Sequence, residues 1–423
     1  MIAEKTNTAQ QIIDAISSTA GKVNFINDQA LTDALLYLEN KGIPTNKHED
    51  YKYCNVDAIL KKEFKNFSQK FKDVNLDEDL RLADTVTLVV VNGNYSEVLS
   101  DKVILKGLHI NSFNQLNENG KDIITSQADV KKDAFIALNT AFSGQGFHLQ
   151  VEKNTQLQIP IHIIYVSSCE GEALINPRNI IEIGQNAEAT LIEHYVTAQN
   201  GKVFSNFLSE KLIHENARLI SYTIQDEGDK GFSVNTNQVK LEKAAHYDNT
   251  TIILSGQLTR NNHNVVISGE NSEAHLNGLF VTDNTQLVDN HTLMDHQVPH
   301  CQSNELYKGI IKGKSTGVFN GKIFVRKDAQ KTNAYQSSKN ILLSDDASIN
   351  TKPELEIYAD DVKCSHGTST GKIDESAMFY LNARGISPDA AKIMLLNAFA
   401  GEVIDKIIPE SLKELVQKKL GFK

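Results

Sequence analysis

The chain has 423 residues, more than one ordinary core holds, so two or three domains are expected. With 40% hydrophobic and 23% charged residues it has a globular composition rather than a disordered one, and no apolar run approaches the roughly 18 residues of a spanning helix. A formal charge of -10 without a basic arm opposes phosphate contacts, so neither nucleic acid nor membrane is expected as a partner.

The opening MIAEKTNTAQQ has no basic segment followed by an apolar one, so it does not read as a secretory signal and a cytoplasmic location is expected. Leu31, Ala34, Leu35 and Leu38 recur at helical spacing, and Gly42 with Pro44 supplies a stop. A second periodic segment lies near Ala58 to Phe71. Helical character ends around Asp84, giving an N-terminal helical region over 1–84.

From DTVTLVVVNGNY the texture changes to short β-branched runs separated by Asn, Gly, Asp and Lys, the signature of strands. This mostly β stretch runs over 85–372. Six segments superimpose on a small residue followed by alternating apolar positions: Ala187, Ala217, Ala244, Ser272, Ser315 and Ala347. Their separations are 30, 27, 28, 43 and 32 residues. A loosely fixed period predicts a solenoid, and a parallel β-helix is its natural form. An all-β sandwich with similar turns is the alternative that the irregular spacing leaves open.

After Lys372 the pattern turns helical again, defining a C-terminal helical domain over 373–423. Ser387 and Pro388 form a cap and first turn, and Ile393, Leu396, Ala400, Val403 and Ile407 follow on one face. Pro409 stops that helix, and SLKELVQKKL makes a short amphipathic end. So apolar a face covers either the solenoid's end or a partner.

The four cysteines, Cys54, Cys169, Cys301 and Cys364, form no CxxC pair, so a metal bound through sulfur would need ligands from another chain. In KGIIKGKSTG only three residues separate Gly309 from Gly313, one short of a phosphate loop, so a turn is expected and no ATP site. HTLMDHQVPHC gathers His291, Asp295, His296, His300 and Cys301, a density suited to zinc or iron. Pro299 breaks the extended chain, however, and a hydrogen-bonded turn is the preferred reading. Asp345 with Asp346, and Asp360 with Asp361, are adjacent residues that point to opposite faces of a strand, so neither is an acid–base couple. No nucleophile elbow arranges a triad, and no catalytic residue is expected.

DDVKCSHGTSTGKID places Cys364 two residues before His366, on one face of an extended chain where both can reach one ion. Thiolate with imidazole suits zinc or an iron-sulfur cluster, against the alternative of a buried structural cysteine.

The run PHCQSNELYKGI, then GVFNGKIFVRKDAQKTNAYQSSKNILLSDDASINTKPELEIYADDVKCSHG, then DESAMFYLNARGI resembles the SufB/SufD family of iron-sulfur cluster assembly proteins over about Pro299 to Glu402. The CSHG form and GIPTNKHEDYKY, Gly42 to Tyr53, resemble the SufD branch. The resemblance implies a right-handed parallel β-helix core flanked by N-terminal and C-terminal α-helical regions. It implies a non-catalytic scaffold that pairs with SufB and binds the SufC ATPase through the C-terminal helical domain, where Tyr380, Arg384, Gly385, Leu396 and Phe399 are the expected contacts. His366 is implied as a metal ligand facing a SufB cysteine, with Cys364 beside it. Together they would help hold a nascent iron-sulfur cluster that is shared with SufB and not stable in the isolated chain. An uncovered sheet edge at that surface would pair with its own copy, so a homodimer is expected when the chain is isolated. Two alternatives remain: a β-helix carbohydrate-active enzyme of polysaccharide lyase type, and a SufB-like subunit that scaffolds alone, against which the CSHG form and the few cysteines argue.

Overall fold

One residue in each coil of the core takes a left-handed backbone. Asn154, Asn186, Asn216, Ala244, Asn271, His300 and Lys331 all have φ between 55° and 62°. Asparagine tolerates this region better than most side chains, because its short amide can bond locally. The backbone N–H of Asn154, Asn186, Asn216, Ala244, His300 and Lys331 reaches the next coil, as from Asn154 to the Gln185 carbonyl at 2.8 Å, Asn186 to Glu215 at 3.0 Å and Asn216 to Lys243 at 2.9 Å. Three asparagines also stack: Asn186 Nδ2 donates to Asn154 Oδ1 at 2.8 Å, and Asn216 Nδ2 to Asn186 Oδ1 at 2.9 Å. The residue that follows turns inward where only a small side chain fits.

The computed structural model describes residues 26–64, 74, 76–102, 105–116, 124–143, 145–198 and 201–421. Strand pairs are parallel and one coil apart: Glu188 lies beside Arg218, Arg218 beside His246, His246 beside Glu273, Glu273 beside Gln302, Gln302 beside Asn333, and Asn333 beside Lys363. A coil is therefore 27 to 31 residues long, and the fold is a mostly β parallel β-helix of two stacked sheets. The first sheet ends at strand Lys363–Gly371, the second at Ser348–Ile357. At the other end both sheets begin in short antiparallel pairs, Val86–Val91 with Asn94–Tyr95 and Leu108–Ser112 with Gly146–Val151.

The sequence repeat slipped in phase. Ala187, Ala217 and Ser272 occupy the same corner, but the third coil places Ala245 there, and Ala244 is the left-handed residue itself. Ser315 and Ala347 sit at the opposite corner, between Ile311 and Thr316 and between Leu342 and Ser348. The 43-residue step thus crossed half a coil. On the correct corner Cys301 and Thr332 continue the series, both fully buried.

Helices cover the outer faces of the sheets. Helix α1 (Asp28–Lys41) and α2 (Val56–Glu63) pack with α3 (Ala134–Phe142) over Phe204, Leu208, Phe232 and Leu258 of the second sheet. Helix α2 begins near the second periodic segment, whose later part, 65–73, lies outside the described residues. Within the stretch read as strands, α3 was not anticipated. Its sequence AFIALNTAF is apolar all round and buried along eight of its nine positions, so it shows no helical stripe.

At the C-terminus α4 (Glu375–Ala383), α5 (Pro388–Ile404) and α6 (Glu410–Leu420) follow, with Ser387 capping α5 through the Ala390 N–H at 3.3 Å. Leu396, Ala400, Val403 and Ile407 pack on Ile192, Tyr222, Ile252 and Leu279 of the first sheet, so α5 covers the side of the solenoid and leaves its end uncovered. Ile393 departs from the expected face and is exposed. Among the described residues no helix is long and apolar enough to cross a membrane.

Candidate functional site

The CSHG segment does not turn the chain; it is the middle of the last strand of the first sheet, Lys363–Gly371. Among the described residues this strand and Ser348–Ile357 each have a neighbour on one side only, so both sheets stop in unpaired edges. Gly367, which follows His366, would meet nothing within 4 Å if it carried a Cβ. Its outer side is open.

Parallel pairing fixes which way the side chains face. Cys364 lies beside Ala334, His366 beside Gln336 and Thr368 beside Ser338, all three partners buried on the inner face. Cys364 accordingly packs against the interior core, half-buried, while His366 is exposed. Across the mouth, Thr368 Oγ1 donates to Thr351 Oγ1 of the second sheet at 3.1 Å. Burial raises the Cys364 thiol above its ordinary range, partly offset by a backbone hydrogen bond at Ala334, so the group is a neutral thiol at pH 7 and a metal would have to displace its proton.

Beneath His366 the interior is polar. Gln336 Nε2 donates to Glu305 Oε1 at 3.4 Å, and Thr292 Oγ1 donates to Glu305 Oε2 at 2.5 Å. Burial pushes Glu305 up to about 7. Sequence reading missed both Glu305 and Gln336, because the column Glu305, Gln336, His366 is formed by register between coils.

The other candidates are dispersed. In HTLMDHQVPHC, His291 meets Asp289 at 2.9 Å, Asp295 holds Arg326 through two bonds of 2.9 Å, and His296 bonds Ser303 Oγ at 2.9 Å. His300 is the left-handed corner residue, and the buried Cys301 thiol donates to the Pro299 carbonyl at 3.3 Å. His291, Asp295 and His296 belong to the strand Leu287–His296, so the expected hydrogen-bonded turn is confined to residues 297–301. Among the described residues no three His, Cys, Asp or Glu side chains are grouped to hold a metal. In KGIIKGKSTG the chain turns at residues 312–315, between the strands Gln302–Ile311 and Thr316–Val325, with Gly313 at φ 64°.

The N-terminal motif Gly42 to Tyr53 is a staple. The Tyr51 ring lies 3.8 Å from the Arg260 guanidinium and its hydroxyl donates to Asp133 at 2.8 Å. Arg260 Nη1 also donates to the Asp50 carbonyl at 2.9 Å and pairs with Asp289, both side chains buried. Burial opposes ionisation of Asp289, yet His291 and Arg260 hold it down at about 2. Glu49 reaches Lys352 at 3.0 Å, which anchors this arm beside the open end.

The five C-terminal residues divide. Tyr380 is 58% exposed, with the Arg384 guanidinium 5.1 Å over its ring, and Gly385 makes the turn to α5 at φ 85°. No residue of α4 is buried. Leu396 is instead turned into the solenoid's side at 6% exposure, because it lies on the stripe of α5 that the first sheet covers. Phe399 packs on the same cluster, with the Lys308 ammonium 4.6 Å over its ring. Phe379, 76% exposed, and Met394, 48% exposed, extend the outward surface and were not singled out from sequence.

The chain matches two family models. One, described as the SufBD core domain of SUF system FeS cluster assembly, spans residues 165–399, and the other, the SufBD protein N-terminal region, spans 8–163. It is 31% identical over 390 residues to the iron-sulfur cluster assembly protein SufD of Escherichia coli K12, covering 92% of this chain and 90% of the relative. Identity to an iron-sulfur cluster assembly SufBD family protein of Synechocystis is 29% over 413 residues, covering 94% and 90%. The SufD of Bacillus subtilis is 27% identical over 295 residues, covering 67% of this chain and 65% of the relative.

Proposed function

Because this chain belongs to the SufBD family of iron-sulfur cluster assembly proteins, we propose that it is a non-catalytic scaffold subunit that joins a SufB chain through the open end of its solenoid. The observation that carries this reading is the pair of unpaired strand edges around Cys364, His366 and Thr368, since unpaired N–H and C=O groups recruit another chain's backbone.

The nascent cluster is the cargo of this interface. His366 offers an exposed imidazole and Cys364 a thiol two residues away on the same inner face, so the donor set fits a cluster whose remaining ligands come from the partner. A cluster shared in this way leaves the isolated chain without a stable one, and the same edges then take a second copy of the chain.

The SufC ATPase docks on the outward surface of α4 and α5, at Phe379, Tyr380, Arg384, Gly385 and Met394. Closure of two SufC subunits on ATP pulls on these helices and shifts the open end. Because α5 is packed along the first sheet through Leu396 and Val403, force on it is delivered to the sheet whose last strand carries the site. The assembly works in the cytoplasm. None of the relatives reported above is a carbohydrate-active enzyme, and that alternative has no observation in its favour.

Co-expression with SufB and SufC partners and capture on this chain tests the reading. A complex of all three is expected. Recovery of this chain alone overturns it.

A further inference from the structure

Gln336 lies one coil below His366 in the parallel ladder, and Glu305 one coil below Gln336. Both side chains are buried, at 3% and 2% exposure. The Gln336 amide is committed: its Nε2 donates to Glu305 Oε1, and Thr292 holds the other carboxyl oxygen. Among the described residues the Gln336 Oε1 is buried without a hydrogen-bond partner. A buried acceptor left open is costly; water can fill such a place, as it can at Asn340 Oδ1 on the same strand, but the next residue up this column, His366, is itself a donor. The facing strand makes the room. A Cβ on Gly321 would stand 2.1 Å from Gln336 Nε2, so glycine there lets the amide extend across the interior.

A neutral imidazole carries one N–H and one lone pair, and whatever takes the N–H decides which nitrogen is free for a metal. We propose that Glu305 and Gln336 are positioning residues for His366: Glu305 fixes the amide, Gln336 Oε1 accepts the imidazole N–H, and the opposite ring nitrogen is left for the metal. No proton changes hands; the pair selects a tautomer and a ring orientation. The inference rests on the reading of His366 as a ligand and adds the residues that aim it.

The test uses the complex with SufB and SufC, titrated anaerobically with Co²⁺ as the probe and followed by its absorption, with melting temperature recorded for each variant. Gln336→Met, near-isosteric but without an acceptor, is expected to weaken Co²⁺ binding about 10- to 100-fold. Gln336→Glu restores an acceptor, and two adjacent buried carboxyls share one proton, which keeps a hydrogen bond to Glu305, so binding is expected within about threefold of the unsubstituted protein. A merely structural glutamine predicts the opposite order, because a second carboxyl beside Glu305 harms packing more than a thioether does. Gln336→Met binding as tightly as the unsubstituted chain, or Gln336→Glu falling as far as Gln336→Met, overturns the proposal. His366→Ala separates the two levels: if it leaves Co²⁺ affinity unchanged, His366 is no ligand and the cluster site proposed at the open end fails, although the three-protein complex still stands. If it abolishes binding while Gln336→Met does not, only the positioning role is lost.

Discussion

Thr368 and Thr351 share a hydrogen bond of 3.1 Å across the mouth of the solenoid, one from each sheet, on the same inner faces that carry Cys364 and His366. The exposed side chains near this bond are available to a partner while their backbones are held from below.

His366→Ala should therefore leave the fold intact, within about 0.5 kcal/mol, because an exposed side chain supports little packing. The same substitution should abolish cluster formation in the full complex. Cys364→Ala tests the thiol separately: lower but measurable cluster formation is expected if it is a neighbour, complete loss if it is a ligand. Ultraviolet–visible absorption after anaerobic reconstitution reads both.

Gly321→Ala should act on the site from the opposite sheet. The new methyl displaces the Gln336 amide from Glu305 and would also stand 2.8 Å from Cζ of the buried Phe319 ring, so Co²⁺ binding falls as in Gln336→Met and the melting temperature drops as well. Unchanged Co²⁺ affinity with normal melting would contradict this.

Asp289→Ala leaves the Arg260 charge buried and uncompensated, a loss of about 3–5 kcal/mol. Arg260 also holds the Asp50 carbonyl and the Tyr51 ring, so the arm over Gly42 to Tyr53 should become sensitive to limited proteolysis. Urea denaturation gives the stability change, and mass spectrometry of the fragments locates the cleavage.

The outer corner holds a pH-dependent ladder. Hydrogen bonds from His148 and His214 hold Glu182 down at about 2, and the bond to Glu182 raises His214 above its usual 6.5. Stability from the raised His214 is complete below pH 6.5 and is lost as pH rises through its folded value. Stability from the depressed Glu182 is complete above pH 4.5 and lost as pH falls towards 2. The ladder should be strongest between these limits, and His214→Gln should flatten the decline above pH 6.5 in thermal melts.

Phe379→Asp and Tyr380→Ala should weaken capture of the ATPase without lowering the melting temperature, since α4 buries none of its residues. Leu396→Ala, facing the first sheet, should instead cost about 2–5 kcal/mol. Equal loss of stability in all three would contradict the division of this surface.

The coil was legible in the sequence because each corner demands a small inward residue, and Ala187, Ala217 and Ser272 meet that demand. Its phase was not, since both corners use the same chemistry: Asn284 at φ 54° and Gly313 at φ 64° repeat at one corner what Asn216 and Asn271 do at the other. A local pattern cannot say which side of the coil it belongs to. The shared face of Cys364 and His366 was readable because two residues on one strand keep a fixed spacing. Glu305 and Gln336 were not, because their approach to His366 depends on stacking three coils in register. Leu396 was expected to contact the ATPase on the resemblance; its periodicity put it on the apolar face of α5 without saying what covers that face, which the fold shows to be the first sheet.

The β-helix has a direction. It starts in short antiparallel strands that offer little to a newcomer and stops in two strands of nine and ten residues with bare edges. The longer bare edges are at the tip that carries Cys364 and His366. When two bare tips meet they consume each other, and the blunt ends left outside cannot continue the stack. In the proposed pairing, a fold whose repeats could lengthen into a fibre would in this way stop at two chains.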